Sequence, residues 1–144
     1  GWRFNVDALR NWMHQQSAAR NSKGDILVVD DEESVRTLIV RALEPEGYRV
    51  AVAADGAEVL PLLEGSPPSL VLLDLVMPRV SGPETLRHIR EKWGKVPVVI
   101  ITGYPDGELM AQALAHGPFT LLAKPMAIKQ LRETVGRLCA QARA

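Results

Sequence analysis

The stretch Leu70-Val71-Leu72-Leu73-Asp74 decides how this sequence is expected to fold. Its first four residues are apolar without a break, as expected for a strand that is covered on both faces rather than on one. An acidic residue, Asp74, closes the run. Strands of this kind occur in parallel sheets, and ligands of such sheets bind outside the carboxyl ends of the strands.

Apolar runs of the same kind recur on both sides of this stretch. They are Ile26–Val29, Tyr48–Ala53, Val96–Ile101 and Phe119–Ala123. The run that contains Arg49 is predicted to be an edge strand, since a charged residue interrupts it. Stretches with helical spacing of apolar residues follow the runs. In the first of them, one set of residues is predicted to form the buried face: Val35, Leu38, Ile39, Ala42 and Leu43. Pro61 is expected to break up the second helix.

Five strand–helix pairs predict an α/β fold with helices on both faces of a parallel sheet. Right-handed crossovers leave few topologies, and we expect the doubly wound, flavodoxin-like (βα)5 arrangement with strand order 2-1-3-4-5. This domain is predicted to span residues 25–144. Residues 1–17 do not belong to this alternation of strands and helices, and we interpret them as a short strand and helix that form the remnant of an N-terminal domain. Residues 18–24 are small and polar, which is typical of a linker.

The composition is that of an ordinary globular domain with no charge-driven partner. Lys and Arg balance Asp and Glu at 17 each, so net charge indicates neither nucleic acid nor a membrane. Residues 1–24 are the exception, because they carry four bases and one acid. Cys139 is the single cysteine, so an internal disulfide is excluded and a reducing compartment, the cytoplasm, is expected. No apolar run reaches the length of a membrane span.

Polar residues close four of the five predicted strands. They are Asp30 and Asp31 after the first, Asp74 after the third, Thr102 after the fourth and Lys124 after the fifth. With order 2-1-3-4-5 the winding reverses between strands one and three, so the aspartates are predicted to meet at the switch point. Pro125 directly after Lys124 favours a cis peptide bond at that position.

Three carboxylates at one place repel each other unless a cation joins them. An all-oxygen set without His or Cys suits Mg²⁺, for which Mn²⁺ could substitute. A carboxylate can also attack phosphorus and form an acyl phosphate, while a metal, an ammonium and a hydroxyl neutralise the phosphoryl oxygens. Asp74, Lys124 and Thr102 supply these protein groups. Glu32 and Glu33 are interpreted as charges of the first helical turn rather than as ligands.

Residues 25–140 resemble the receiver domain of two-component response regulators. The resemblance is carried by motifs that follow the strands in order: Ile26–Glu33, Leu72–Pro78, Gly82, Ile101–Gly103 and Lys124-Pro125. It implies that Asp74 is the phosphoacceptor. It also implies that Asp31 binds Mg²⁺ directly, that Asp30 acts largely through water, and that the Val76 backbone carbonyl is a further ligand. Thr102 would be the hydroxyl that moves toward the phosphoryl group, and Lys124 would pair with that group.

The sequence departs from this family at several positions. Leu121 occupies a place that is often aromatic, so an aromatic toggle is not expected. Pro118 replaces a small residue and should stiffen the approach to strand five. Val76 and Tyr104 stand at two positions that tune loss of the phosphoryl group. Both are bulky, and Val76 has no polar group to position a water, so a long-lived phosphoryl state is predicted.

The first sixteen or so residues carry a second, shorter resemblance. Gly1-Trp2-Arg3-Phe4, with Asp7, Leu9 and Trp12, is similar to the end of an excisionase-like winged helix-turn-helix domain. The recognition helix of such a domain would lie upstream of Gly1. This resemblance implies that the receiver controls DNA binding and transcription.

Several alternatives remain beside a response regulator with a DNA-binding output. The chain could be a receiver in a hybrid kinase or phosphorelay. A phosphohydrolase with an aspartyl-phosphate intermediate would need two aspartates one residue apart after the first strand, whereas Asp30 and Asp31 are adjacent. A flavin or nucleotide domain would need a phosphate loop there, which Asp31 and its acidic neighbours oppose. The receiver interpretation implies a signalling switch rather than an enzyme. Its expected partner is a histidine kinase or phosphotransfer protein, and a homodimer is compatible with it.

Overall fold

The computed structural model describes residues 23–143. The strand and helix predicted within residues 1–17, and linker residues 18–22, lie outside the described residues. Five strands alternate with five helices: β1 (Asp25–Val29), α1 (Glu33–Leu43), β2 (Arg49–Ala53), α2 (Gly56–Val59), β3 (Leu70–Asp74), α3 (Gly82–Lys92), β4 (Val98–Thr102), α4 (Glu108–Ala113), β5 (Thr120–Ala123) and α5 (Ile128–Arg143). Short 3-10 turns follow α1, α2 and α4, over Glu44–Glu46, Leu60–Glu64 and Leu114–His116.

The strands form one parallel sheet in the order β2-β1-β3-β4-β5, which confirms the predicted topology. β2 lies at an edge, as the charge of Arg49 indicates, and β5 lies at the other. Val29 is paired with Leu73, so β1 and β3 end at nearly the same level of the sheet. The residues that follow these two strands are therefore neighbours.

Each face of the sheet carries its own hydrophobic core, as a doubly wound fold requires. On one face Leu73 of β3 packs among residues of α2, α3 and α4, such as Leu86, and against Trp93, which directly follows α3. On the other face Leu72 packs among residues of α1 and α5 that include Ile39. Full burial of each large apolar side chain contributes roughly 1.5–3 kcal/mol. Adjacent residues of one strand thus serve opposite cores, which explains why the strand sequences are apolar throughout.

The predicted buried face of α1 was wrong in one respect. Leu38 is 42% exposed, whereas Arg36 is buried along with Ile39, Val40, Ala42 and Leu43. Residues 36, 39, 40 and 43 follow the helical period, so the buried face of α1 is rotated toward Arg36 and Val40 and leaves Leu38 at the surface.

Three strands also begin later than predicted. β2 begins at Arg49, β4 at Val98 and β5 at Thr120, so the apolar residues before them belong to the preceding turns. The predicted break at Pro61 is confirmed, because α2 ends at Val59 and a 3-10 turn takes over. Within the described part of the chain, no helix is long and apolar enough to cross a membrane.

Candidate functional site

A cavity of about 470 Å³ opens where the carboxyl ends of the central strands meet. Its lining residues come from four loops: Asp31, Glu32, Asp74, Val76, Gly103, Tyr104 and Lys124. The structure therefore brings Asp31, Asp74 and Lys124 to one place, as expected from the positions at which the strands end. Asp30 lies below this surface and is 2% exposed.

The Lys124 ammonium stands among three carboxylates. Its Nζ is 3.1 Å from Asp30 Oδ2, 3.3 Å from Glu32 Oε1 and 3.7 Å from Asp74 Oδ1. Burial alone would lower the pKa of Lys124, but the negative charges of Asp30 and Asp74 outweigh it and raise the pKa. Lys124 is therefore a permanent cation at the floor of the cavity. The Lys124–Pro125 peptide bond is cis, as predicted.

Asp30 is held by its backbone as well as by its side chain. Its amide donates to the Ala53 carbonyl at 3.1 Å, and its carbonyl accepts from Arg36 Nη1 at 2.6 Å. Its Oδ1 accepts from the Glu32 amide at 2.8 Å. Burial raises the pKa of Asp30, against the opposing effects of the Glu32 amide and Lys124. Arg36 was missed by sequence reasoning, although a basic residue at the spacing of the buried face is a signal that could have identified it.

Asp74 closes β3 in a nearly buried position, with 4% of its surface exposed. The Val76 amide donates to its Oδ1 at 3.3 Å. Burial, followed by the charge of Asp30, raises the pKa of Asp74 to about 7, and Lys124 opposes this rise. Without a further cation, burial and the charge of Asp30 thus favour the protonated form of this carboxyl.

The loop after Asp74 turns back sharply, and a glycine allows this. The Gly82 amide donates to the Leu75 carbonyl at 3.1 Å. A Cβ on Gly82 would lie 2.4 Å from the Leu75 Cα, so a side chain at this position would displace the loop. Val76, which lines the cavity with 46% of its surface exposed, is held near Asp74 by this turn.

Thr102 is fully buried at the end of β4. Its Oγ1 accepts from the Tyr104 amide at 3.0 Å, so the hydroxyl is engaged by its own loop. Its carbonyl accepts from the Lys124 amide at 2.8 Å, which links the two loops on this side of the cavity. The structure thus places Thr102 beside the cavity rather than on its surface, while Tyr104 is 71% exposed above it.

The acidic residues after β1 are close enough to share a cation. One carboxylate oxygen from each of Asp30, Asp31 and Glu32 lies within 4.8 Å of the others. Sequence reasoning interpreted Glu32 only as a charge of the first helical turn. The structure shows that Glu32 precedes α1 as its N-cap residue, lines the cavity and pairs with Lys124. This contact joins residues 92 positions apart, which local sequence patterns do not reveal.

Comparison with known proteins identifies the family. Residues 26–136 match the response regulator receiver domain. The chain belongs to this family. The receiver domain is 38% identical over 112 residues to the sensor kinase CckA of Brucella abortus (strain 2308), a match that covers 76% of this chain and 12% of that protein. It is 37% identical over 106 residues to the response regulator MprA of Mycobacterium sp. (strain KMS), covering 74% of this chain and 46% of that protein.

A solved structure supports the same assignment. The receiver domain of the sensor histidine kinase PA1611 from Pseudomonas aeruginosa PAO1 superimposes with a TM-score of 0.75 at 28% identity, covering 81% of this chain and 98% of that one. That structure contains a magnesium ion in its active-site cleft. This chain spans less than half the length of the two curated relatives, so it corresponds to the receiver part of each.

Proposed function

We propose that this receiver domain is a phosphorylation switch in which Asp74 accepts a phosphoryl group in a Mg²⁺-dependent reaction. The observation that carries the proposal is the nearly buried Asp74 carboxylate at an acidic cavity, with Lys124 Nζ 3.7 Å from its Oδ1. The donor is a phosphohistidine of a histidine kinase or phosphotransfer protein. A bond forms between an Asp74 oxygen and phosphorus, and the P–N bond breaks. The donor imidazole leaves with the electron pair of that bond.

The two oxygens of Asp74 have different roles in this proposal. Both the Val76 amide and Lys124 contact Oδ1. We assign the attack to Oδ2, because no group among residues 23–143 donates a hydrogen bond to it in this structure. Lys124 then neutralises one oxygen of the phosphoryl group. In this structure the Thr102 hydroxyl accepts a hydrogen bond from the Tyr104 amide. In the proposed reaction it leaves that amide and donates to a second oxygen of the phosphoryl group.

The carboxylate set fits Mg²⁺, because it offers only oxygen ligands and leaves open cavity beside them. Asp31, Asp74 and the Val76 backbone carbonyl would hold the ion directly, and Asp30 largely through water; Mn²⁺ could substitute. A bound ion would neutralise negative charge on the phosphoryl oxygens. It also favours the ionised form of Asp74, which is the form that attacks.

The proposed role is that of a cytoplasmic signalling switch and not of an enzyme that turns over an external substrate. The basic residues among 1–24 favour an output through DNA binding, carried by a domain of which residues 1–17 would be the end. In that case phosphorylation controls transcription, and a homodimer is one way to do so. The sensor kinase relatives CckA and PA1611 favour the second candidate, a receiver within a hybrid kinase or phosphorelay.

Phosphorylation from a small donor tests the proposal. The protein is incubated with acetyl phosphate and Mg²⁺ and its intact mass is measured, with Asp74→Asn as the matched variant. We expect one added phosphoryl group on the wild type, none on the variant, and none when EDTA replaces Mg²⁺. Labelling of Asp74→Asn would refute the assignment of the acceptor. Sustained phosphate release from varied phosphoesters would favour a phosphohydrolase instead.

A further inference from the structure

The end of β2 contacts both loops from which the proposed metal site draws its ligands. The Ala53 carbonyl accepts from the amide of Asp30, in the loop after β1. Two residues later, the Asp55 carboxylate accepts from Arg79, in the loop between β3 and α3. None of the residues that line the cavity comes from this β2 segment. It is therefore placed to hold the two loops relative to each other from outside the cavity, through the Asp30 amide on one side and the Arg79 side chain on the other.

The Arg79–Asp55 ion pair is close and directional. Arg79 Nε and Nη2 lie 2.9 and 2.5 Å from the same oxygen, Asp55 Oδ2. The other oxygen, Oδ1, accepts from the Glu58 amide at 3.2 Å and caps α2. The side chain of Asp55 is 7% exposed, whereas that of Arg79 is 62% exposed. The fixed partner is thus Asp55, and the loop is fastened to it through Arg79.

The backbone of Arg79 has a conformation that requires stabilising contacts. Its φ is 62°, the left-handed conformation, and it is the one residue other than glycine between positions 23 and 143 with a positive φ. Residues with a Cβ rarely adopt this conformation without compensating contacts. The loop therefore follows a path that its backbone disfavours and that the ion pair with Asp55 supports.

Close packing beside the ion pair shows that the same path brings the loop against α2. A Cβ on Gly56, the residue after Asp55, would lie 2.8 Å from the Val80 carbonyl oxygen and 2.0 Å from Thr85 Oγ1. Only a glycine lets the loop approach so near. The ion pair and this contact fix the loop three to four residues after Val76, whose carbonyl is a proposed metal ligand.

We propose that Arg79 is a positioning residue of the metal site, which sets the Val76 carbonyl through its ion pair with Asp55. This inference rests on the proposed Mg²⁺-dependent function. The direction in which Mg²⁺ affinity changes when Arg79 is replaced distinguishes a positioning role from a simple effect of its charge. Removing a cation near a metal site should strengthen Mg²⁺ binding through Coulomb's law. Loss of positioning weakens it instead.

The test measures Mg²⁺ affinity by titration calorimetry on the full chain. In Arg79→Gly the ion pair is lost, yet glycine adopts the left-handed backbone without strain, so the variant should fold. We expect its Mg²⁺ dissociation constant to rise on the order of tenfold, as for other residues that orient metal ligands. Arg79→Lys keeps the charge but loses the two-nitrogen contact, so its Mg²⁺ dissociation constant should lie between those of the wild type and Arg79→Gly. Arg87→Gln removes a positive charge from α3 outside this loop and should not weaken binding.

Phosphorylation kinetics separate positioning from a general structural defect. With acetyl phosphate, Arg79→Gly should need more Mg²⁺ for half-maximal rate but reach the wild-type rate at saturating Mg²⁺. Asp55→Asn, which can still cap α2, should weaken binding no further when combined with Arg79→Gly. Unchanged or tighter Mg²⁺ binding by Arg79→Gly overturns the positioning role while leaving the proposed function intact. A wild-type protein that binds no Mg²⁺ overturns both.

Discussion

Replacing Asp74 by asparagine should stabilise the metal-free protein, and more so as the pH rises. The pKa of Asp74 is about 7 in the folded state, against 3.8 for an ordinary aspartate, chiefly because the group is buried and faces Asp30. A raised folded-state pKa means that the contribution of this group to stability is fully present below pH 3.8. It is lost as the pH rises through about 7, since the unfolded chain ionises freely and the folded one does not.

The size of the effect follows from the same values. At this group the folded state binds about one more proton than the unfolded state at pH 5, and about half a proton more at pH 7. Wild-type stability should therefore fall by about 1.3 kcal/mol over the first pH unit and by about 2.3 kcal/mol in total between pH 5 and pH 7. Asp74→Asn lacks this pH-dependent loss of stability, because asparagine does not ionise. Lys124 keeps Asp30 and Glu32 as partners in the variant, so we expect on the order of 2–3 kcal/mol of additional stability relative to wild type at pH 8 compared with pH 5.

Urea unfolding followed by far-ultraviolet circular dichroism, in EDTA at pH 5, 6, 7 and 8, measures this difference. Asp106→Asn is the matched control, because it makes the same chemical change at an aspartate that is exposed. Adding Mg²⁺ at pH 8 should raise the stability of the wild type more than that of Asp74→Asn, because the ion compensates the buried negative charge. A stability gap that is constant from pH 5 to pH 8, or that narrows with rising pH, would refute the proposed electrostatics of the site.

Three further predictions concern the surroundings of Asp74. Gly82→Ala should cost about 2 kcal/mol or more in thermal unfolding, since its Cβ would meet backbone of its own loop at 2.4 Å, whereas Gly94→Ala, whose nearest neighbour would be 3.4 Å away, should be tolerated. Arg36→Ala should destabilise by roughly 2–4 kcal/mol in urea, because it leaves a buried cavity and an unsatisfied carbonyl; a change below about 0.5 kcal/mol would contradict its role as the support of the first loop. Once formed, the phosphoryl group on Asp74 should last minutes or longer after donor removal, since Val76 has no polar side chain to position a water; loss within seconds, followed by intact mass, would disprove this.

The sheet and most of the site were predictable because they depend on patterns that the sequence displays directly. Continuous apolar runs marked the strands. Right-handed crossovers left few topologies, and the common doubly wound order 2-1-3-4-5 then indicated which strand ends would meet. Asp31, Asp74 and Lys124 could be assigned to one place without any knowledge of their side-chain contacts. The proline after Lys124 permits the cis bond that the structure has there, because cis peptide bonds occur almost only before proline.

Other features could not be predicted, because they depend on contacts between distant loops. The apolar pattern placed Leu38 inward, whereas the buried face of α1 is turned toward Arg36, whose Nη1 donates to the carbonyl of Asp30, the residue after β1. An acidic residue such as Glu32 is typical of the start of a helix, and its contact with Lys124 forms only when the sheet is folded. The Arg79–Asp55 pair joins two loops that no sequence period relates. In each case a polar side chain satisfies a partner that only the tertiary structure supplies.

Locating the phosphoryl group is the most direct test that these carboxylates surround a nucleophile. The wild-type protein is treated with acetyl phosphate, with and without Mg²⁺, and the acyl phosphate is reduced with borohydride before tandem mass spectrometry. We predict that aspartate at position 74 alone is converted to homoserine, and only when Mg²⁺ is present. Conversion at position 30 or 31, or equal conversion in EDTA, would contradict the assignment of Asp74 as a metal-assisted phosphoacceptor.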